Sequence, residues 1–399
     1  MPRLFFTYLR LFALLTALLL FISPAISGPS YKTGEDDSKN DQKCNKRYRG
    51  NVIRVKHGES IQAAIDCARP YTRVEVEGEH REQVTITKDG ISLIGKGAKL
   101  SPPSNIDTTN YCYGLVKSLP DLKNVSAGIC IHGRNIKLED EYVPALLHWG
   151  VKSVGDPVKD VSVSGFEVSD FDGENIALYG GKNTRITRNV LKRGLRYGFL
   201  TVGSKGTHAS KNEVSGSGKA TLENGPIAMC MDDKSSAVFS NNQLSGYFIC
   251  LCTETNEGIN SNNEITKCCI GNIIDPNVRN AKSLGNSITE WNPDCDPTAA
   301  AGISLLGAKN ALVKGNTISI GAGLPQGGAG LFLGFEVEFN ATNEGNVITK
   351  NKFGLNDADI FDDSKGKNYI FDNECDIAAR GPVTSPTPAP EYCQPRGRA

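Results

Sequence analysis

Phe239-Ser-Asn-Asn242-Gln-Leu244, Asn260-Ser-Asn-Asn263-Glu-Ile265 and Ser283-Leu-Gly-Asn286-Ser-Ile288 repeat one pattern, an asparagine followed two residues later by an apolar residue. The pattern also stands at Asn189, Asn212, Asn316 and Asn346, so the seven asparagines are separated by 23, 30, 21, 23, 30 and 30 residues. Each step is one short supersecondary unit, and recurrence at that length marks a stacked repeat protein, a solenoid. A turn asparagine inside such a stack can bond the backbone of its own turn. It can also pass an amide bond to the asparagine one coil on, pairing polar groups that the strands leave over.

The asparagine row also phases the coils. Nine residues before most of its members a strand is predicted to end, at Gly180, Gly203, Asp233, Glu254, Gly307 and Val337, with Asp275 at the equivalent point. Counting back aligns Tyr197, Ile227, Phe248, Cys269, Ala301 and Leu331, then Phe199, Met229, Cys250, Gly271, Ile303 and Leu333, then Thr201, Met231, Cys252, Ile273, Leu305 and Phe335. Side chains alternate along a strand, so these mostly apolar columns are expected to face inward, with each strand pairing in parallel one coil on. The intervening residues, Leu200, Leu251 and Asn272 among them, are expected outside. They too are mostly apolar, which predicts that a loop, a tail or a partner covers that face.

Charge excludes one class of partner. Among 399 residues, 44 Lys and Arg balance 44 Asp and Glu, so no global field draws the chain to nucleic acid or anionic lipid. The 42 glycines and 7% aromatics suit many short strands joined by tight turns. Arg3 and Arg10, the apolar run from Leu11 to Ile22 and Ala25-Ile-Ser27 have the form of a signal peptide over residues 1–27. That run is shorter than the roughly 20 residues a spanning helix needs, and no later stretch reaches it. The mature chain is therefore expected to be secreted and extracellular, with no membrane span.

Twelve cysteines fit an oxidising compartment, and Asn124 and Asn340 open glycosylation sequons. Residues 28–48 read as a flexible polar leader, 49–382 as the repeat domain and 383–399 as a Pro/Thr-rich tail. Ser60 is placed to cap a short helix with Ile61, Ala64, Ile65 and Ala68 on one face, followed by strands at 73–76, 83–86 and 91–94. Residues 101–158 read as long loops. Cys44 with Cys67, Cys112 with Cys130, Cys375 with Cys393, and Cys268 or Cys269 with Cys295 are the pairings considered, although spacing alone does not set connectivity.

Glu59-Ser-Ile-Gln-Ala-Ala-Ile-Asp66, Ile91-Ser-Leu-Ile-Gly-Lys-Gly97 and the Asn-x-apolar coils up to Asn373 resemble the pectin lyase-like superfamily. The resemblance covers about residues 50–376 and implies an all-β fold, a right-handed single-stranded parallel β-helix with a short N-terminal capping helix. Gly198-Phe-Leu-Thr-Val-Gly-Ser204, Met229-Cys-Met-Asp-Asp233 and Cys269-Ile-Gly-Asn-Ile-Ile-Asp275 look like a secreted microbial, fungal-type branch with no assigned reaction. Members of the superfamily include polysaccharide lyases, hydrolases, epimerases and adhesins, so the fold is nearly silent on activity.

Candidate chemistry lies where polar residues break the repeat. Asp233, Glu254 and Asp275 fall 21 residues apart at equivalent strand ends, with Asp232 beside the first. Stacked carboxylates repel and need a cation or base, which makes Asp233, Glu254 and Asp275 a candidate Ca²⁺ set. Lys205 and Arg279 are candidate bases, and Asp232, Asp233, Glu254 and Asp275 are candidate acids for a lyase or an inverting hydrolase. Extra residues at 217–225, 291–298 and 321–328 suggest walls of a trough, with Trp291, Lys182 and Lys309 as candidate sugar contacts. The superfamily's hydrolase motif is incomplete here, since no Asn-Thr-Asp, Gly-His-Gly or Arg-Ile-Lys accompanies Asp232-Asp233. The five histidines share no metal-ligand spacing. Two readings follow: a protein acting on or binding extracellular polysaccharide, and a non-catalytic secreted binding or surface-interaction protein. Solvated turn aspartates are the simpler account of the acids.

Overall fold

The computed structural model describes residues 44, 48, 50–143, 147–218, 225–232, 234–295, 300–324, 327–337, 339–376 and 393–395. The signal peptide, nearly all of the leader and most of the tail read from the sequence lie outside the described residues. The fold is all-β, a right-handed parallel β-helix with a short helix near its N-terminal end. Its coils divide into two compact units. One contains residues up to Ser215 together with Asp232–Ala237; the other contains Gly216–Met231 and Val238 onward.

In the N-terminal unit the helix Ile61–Cys67 forms where the sequence places it. Ser60 Oγ accepts from Ala63 N at 3.1 Å, and Ile61, Ala64 and Ile65 are buried. The Glu82 carboxylate accepts from Ile61 N at 2.7 Å and Gln62 N at 3.2 Å, which places an anion on the positive end of the helix. The strand Val52–Val55 pairs in parallel with Arg73–Val76, that strand with Ser92–Ser101, and that in turn with Ser162–Ser169. A second row stacks Val84–Ile86, Ala127–His132, Glu174–Tyr179 and Tyr197–Val202, all in parallel.

Residues 101–158 are more ordered than their composition predicts. They hold the strand Ala127–His132 and an antiparallel hairpin, Arg134–Leu138 with Val151–Asp156. The hairpin lies on two tight turns whose glycines a larger residue would strain. Gly180 and Gly203 have φ of 65° and 59°, and a Cβ would meet Val154 at 2.9 Å in the first and Val151 at 3.1 Å in the second.

In the C-terminal unit the register corrects the sequence phasing. Met231 pairs with Thr253, and Thr253 with Ile274, so this first coil is one residue longer than the 21-residue step assumed. Thr253 Oγ1 accepts from Asn260 Nδ2 at 2.9 Å, and Asn272 Nδ2 donates to Ser283 Oγ at 2.9 Å, all buried. The inward residues are therefore Leu251, Thr253, Asn272 and Ile274, where the sequence phasing had Cys250, Cys252, Gly271 and Ile273. The outward row runs Cys230, Cys252, Ile273, Ser304, Phe332 and Phe361. Leu333, not Phe335, occupies the inward column beside Leu305, and Lys365 Nζ lies 3.7 Å over the Phe335 ring.

The asparagine row is a continuous amide chain within each unit. Asn189 Nδ2 donates to Asn212 Oδ1 at 3.1 Å in the first. In the second, Asn242, Asn263, Asn286, Asn316, Asn351 and Asn373 hand on the bond at 2.9–3.0 Å, and all are buried. Asn346 is not a member, contrary to the sequence spacing. It accepts from Ala311 N and donates to Asn368, one turn away from the row. A longer coil carries the row from Asn316 to Asn351, so the apparent 30-residue step to Asn346 is a coincidence of insertion length.

Six disulfides join Cys44–Cys67, Cys112–Cys130, Cys230–Cys252, Cys250–Cys268, Cys269–Cys295 and Cys375–Cys393. Four were anticipated from position. Cys230–Cys252 and Cys250–Cys268 are not among the pairings considered from the sequence.

Candidate functional site

On the N-terminal unit the outer strand face is sealed by the chain itself. Cys130, Ala177 and Leu200 form one outward row and His132, Tyr179 and Val202 the next. The Cys112–Cys130 bond fastens residues near 112 to this face, and the tilted Tyr111 ring meets His132 at 5.1 Å between ring centroids. Residues of the segment after the hairpin's first strand close the rest, since Tyr142, His148 and Trp149 are all buried. Tyr142 meets Trp149 edge-on at 5.5 Å, and Trp149 N donates to Leu115 O at 2.8 Å. Of the loop, tail or partner expected over the outward rows, the described residues place a loop over this unit's face.

Beneath that cover lies an ionisable cluster. His148 Nε2 and Asp232 Oδ2 are bonded to each other, and both residues are buried. His148 Nδ1 meets Trp149 O at 2.8 Å, which makes Nδ1 the protonated nitrogen when the ring is neutral. Glu174 is 0% exposed, and neither carboxyl oxygen takes a hydrogen bond from another residue. Burial pushes its carboxyl up to about 8, with Asp172 adding to the rise and His148 and Arg196 opposing it. Glu174 is therefore largely a neutral acid at pH 7. Burial lowers the Arg196 guanidinium and raises the Tyr142 hydroxyl, and the two interact electrostatically with each other and with Glu174. His132 is held down to about 4 by burial, so its ring is neutral. Lys234 extends the same contact outward, donating to Val151 O at 2.5 Å and pairing with Glu139 at 3.1 Å.

Asp232 is bonded to a histidine 84 residues upstream, a partner that no local pattern announces. Asp233 lies outside the described residues. Glu254 and Asp275 do follow one another in the C-terminal unit, because Thr253 pairs with Ile274, and both are half-buried. Glu254 Oε1, however, is turned to sulfur, 2.9 Å from Cys252 Sγ and 3.8 Å from Cys230 Sγ.

The basic candidates form rows instead. Lys159, Lys182 and Lys205 are parallel partners on three successive coils, with Lys182 and Lys205 exposed. Their nearby acids are engaged otherwise: Asp160 accepts from Asn183 Nδ2, Glu167 pairs with Lys192, and Asp170 with Arg193. Arg185 and His208 stack beside them and are also exposed. In the C-terminal unit Arg279 bridges in parallel to Lys309, and Lys309 to Glu344.

Parts of all three inserted loops lie outside the described residues. Asn292 Nδ2 donates to Gly218 O at 2.9 Å, so two of the walls touch. The insertions also precede the strands, while Glu254 and Asp275 follow them. Five strand residues, about 17 Å, separate the two ends. Trp291 is half-buried at the end of Ser287–Trp291, its backbone paired to Cys268. Asn124 and Asn340 are both exposed. No described helix is long and apolar enough to cross a membrane.

No family model and no curated protein matches the sequence. Solved structures do match in fold. A double mutant of the periplasmic alginate epimerase AlgG aligns with a TM-score of 0.50 at 12% identity, over 85% of this chain and 82% of that one. The family 28 exopolygalacturonase of Yersinia enterocolitica aligns at 0.49 and 12%, over 82% and 79%. PfbA, a surface adhesin of Streptococcus pneumoniae, aligns at 0.49 and 16%, over 79% and 75%. The chain is thus similar in fold to right-handed β-helix proteins of the pectin lyase-like kind. At these identities the likeness is one of architecture.

Proposed function

We propose that this chain is a secreted, glycosylated β-helix protein of a microbial, fungal-type branch that binds an acidic extracellular polysaccharide. The observation that carries this reading is the row Lys159, Lys182 and Lys205, none of which is ion-paired among the described residues. Parallel coils put successive lysines about 4.8 Å apart, so three like charges stand in line on one face. Such a line repels itself unless a polyanion lies along it, and an extended polyuronate offers one carboxylate per sugar. Arg185 and His208 widen the same strip, and Lys309 with Arg279 supplies a shorter one. The six disulfides support an oxidising destination, and Asn124 and Asn340 are open to modification.

The test compares polygalacturonate and alginate with a neutral glucan, using the purified chain and its Lys182→Glu/Lys205→Glu variant. Binding of both polyanions, steeply weaker in salt and at least tenfold weaker in the variant, is expected. Equal affinity for the neutral glucan would remove the lysine row from the account.

A second reading is catalytic. It is favoured by one observation, a fully buried Glu174, its carboxyl pushed up to about 8 by burial, beside Arg196 and the His148–Asp232 pair. Such a set supplies an acid, a base and a carboxylate clamp, provided the segment carrying His148 lifts. The sets Asp232, Asp233, Glu254 and Asp275, with Lys205 or Arg279 as base and Ca²⁺ on the acids, belong to this reading too. Glycan turnover measured with and without Ca²⁺ separates it from binding alone.

A further inference from the structure

Among the described acids of the candidate set, Glu254 makes contacts that are odd for a carboxylate. Its Oε1 sits 2.9 Å from Cys252 Sγ and 3.8 Å from Cys230 Sγ, and both sulfurs are buried. In the cystine Cys230–Cys252 neither sulfur carries a hydrogen, so neither can donate to that oxygen. The contact becomes favourable in two other states. The thiols of the reduced pair can donate to it, or a cation can lie between sulfur and oxygen. The three donor atoms fall within 4.8 Å of one another. Donors around a tetrahedral zinc lie about 3.5–3.8 Å apart, so the arrangement needs only small movements once the sulfurs separate.

We propose that Cys230, Cys252 and Glu254 form a redox-gated site for a soft divalent metal such as Zn²⁺, closed as the cystine and open as the dithiol. The register places the two cysteines directly opposite each other on neighbouring strands, and Glu254 follows two residues after Cys252 on the same face. A dithiol reductant opens the site. Its two S–H groups become its own disulfide, the Cys230–Cys252 bond breaks, and each cysteine takes one proton and one electron. Binding then expels both thiol protons to solvent as two thiolates and the carboxylate close on the ion. Thiolate donors select zinc-like ions over Ca²⁺, which takes oxygen ligands only.

The experiment uses the full chain, reduced anaerobically and freed of reductant, and titrates it with Co²⁺ alone and then Zn²⁺ as competitor. One equivalent of Co²⁺ giving thiolate-to-metal absorption, displaced by Zn²⁺, is expected; the unreduced chain should give none. Zn²⁺ should slow alkylation of Cys230 and Cys252 at least tenfold and leave Cys250 and Cys268 unchanged, read by peptide mass. Cys230→Ser/Cys252→Ser should abolish the absorption. Glu254→Gln, which keeps the cystine and so the fold of the oxidised chain, should weaken metal binding by about tenfold or more. Alkylation indifferent to Zn²⁺, equal affinity in Glu254→Gln, metal uptake by the serine variant, or a reduced chain that unfolds and binds nothing would each overturn the site.

Discussion

On the N-terminal unit the outward strand rows run Cys130, Ala177, Leu200 and His132, Tyr179, Val202, with the uncharged acid Glu174 buried near them. On the C-terminal unit the outward row ends in Ser304, Phe332 and Phe361, and Phe332 clusters with Ala301, Ala329 and Leu306. Both faces are built on the same parallel coils. The first carries ionisable groups and is roofed by a segment of its own unit that returns a histidine to Asp232. The second holds itself together through apolar contact, Phe332 meeting Phe361 at 6.0 Å between centroids. The repeat thus supplies a neutral scaffold, and the outward residues decide whether a face is closed by charge or by hydrophobic contact.

The strongest way to break that comparison is to remove Asp232. Leaving His148 buried without its partner is expected to cost about 3–5 kcal/mol in urea unfolding, with Asp232→Asn recovering part of the loss. A cost near zero would show that the pair does not hold the cover. On the apolar face, Phe332→Ala is expected to cost about 3 kcal/mol through lost burial and a cavity, with no change in how stability depends on pH. A pH-dependent loss there would erase the distinction between the faces.

The third prediction sharpens the contrast through titration. Glu174 rises from an ordinary 4.5 to about 8 on folding, so the folded chain holds a proton that the unfolded chain releases. Its burden on stability is therefore absent below about 4.5, grows as pH rises, and levels off above about 8. Glu174→Gln should remove this slope and gain on the wild type by up to a few kcal/mol at pH 8, with little difference at pH 4. His132 acts the other way. Its folded value near 4 lies below the ordinary 6.5, so its contribution is full above 6.5 and fades as pH falls toward 4. Unfolding midpoints across pH 4–9 check both signs. The smallest effect belongs to Lys182→Ala, which should leave the unfolding midpoint unmoved while weakening polyanion binding, since an exposed lysine without an ion pair loses little.

Particular residues show how far the sequence could be read. Ser60 and the apolar face of the helix after it were legible because a cap and a helical period are local signals. The asparagine row was legible because each member repeats the same turn. The slip of one residue at Cys250-Leu-Cys252 arose because both faces of that strand are buried, so alternation gives a period without a phase. Asn346 was drawn into the row by a matching interval, whereas Asn351 satisfies the Asn316 amide. His148 was invisible as a site residue. It acquires a role only when a loop folds back over strands formed far along the chain.

The sequence by itself determined the coil: a recurring asparagine turn, short strands that must stack in parallel, and a helix at the first turn. These are near-neighbour properties, fixed by side-chain period and by backbone groups that each coil has to satisfy. Only the tertiary structure decided the register of the short coils, the contact of Glu254 with Cys230 and Cys252, and the closure of Asp232 beneath His148. Those depend on coil lengths that vary by single residues and on contacts between distant segments, which no local pattern encodes.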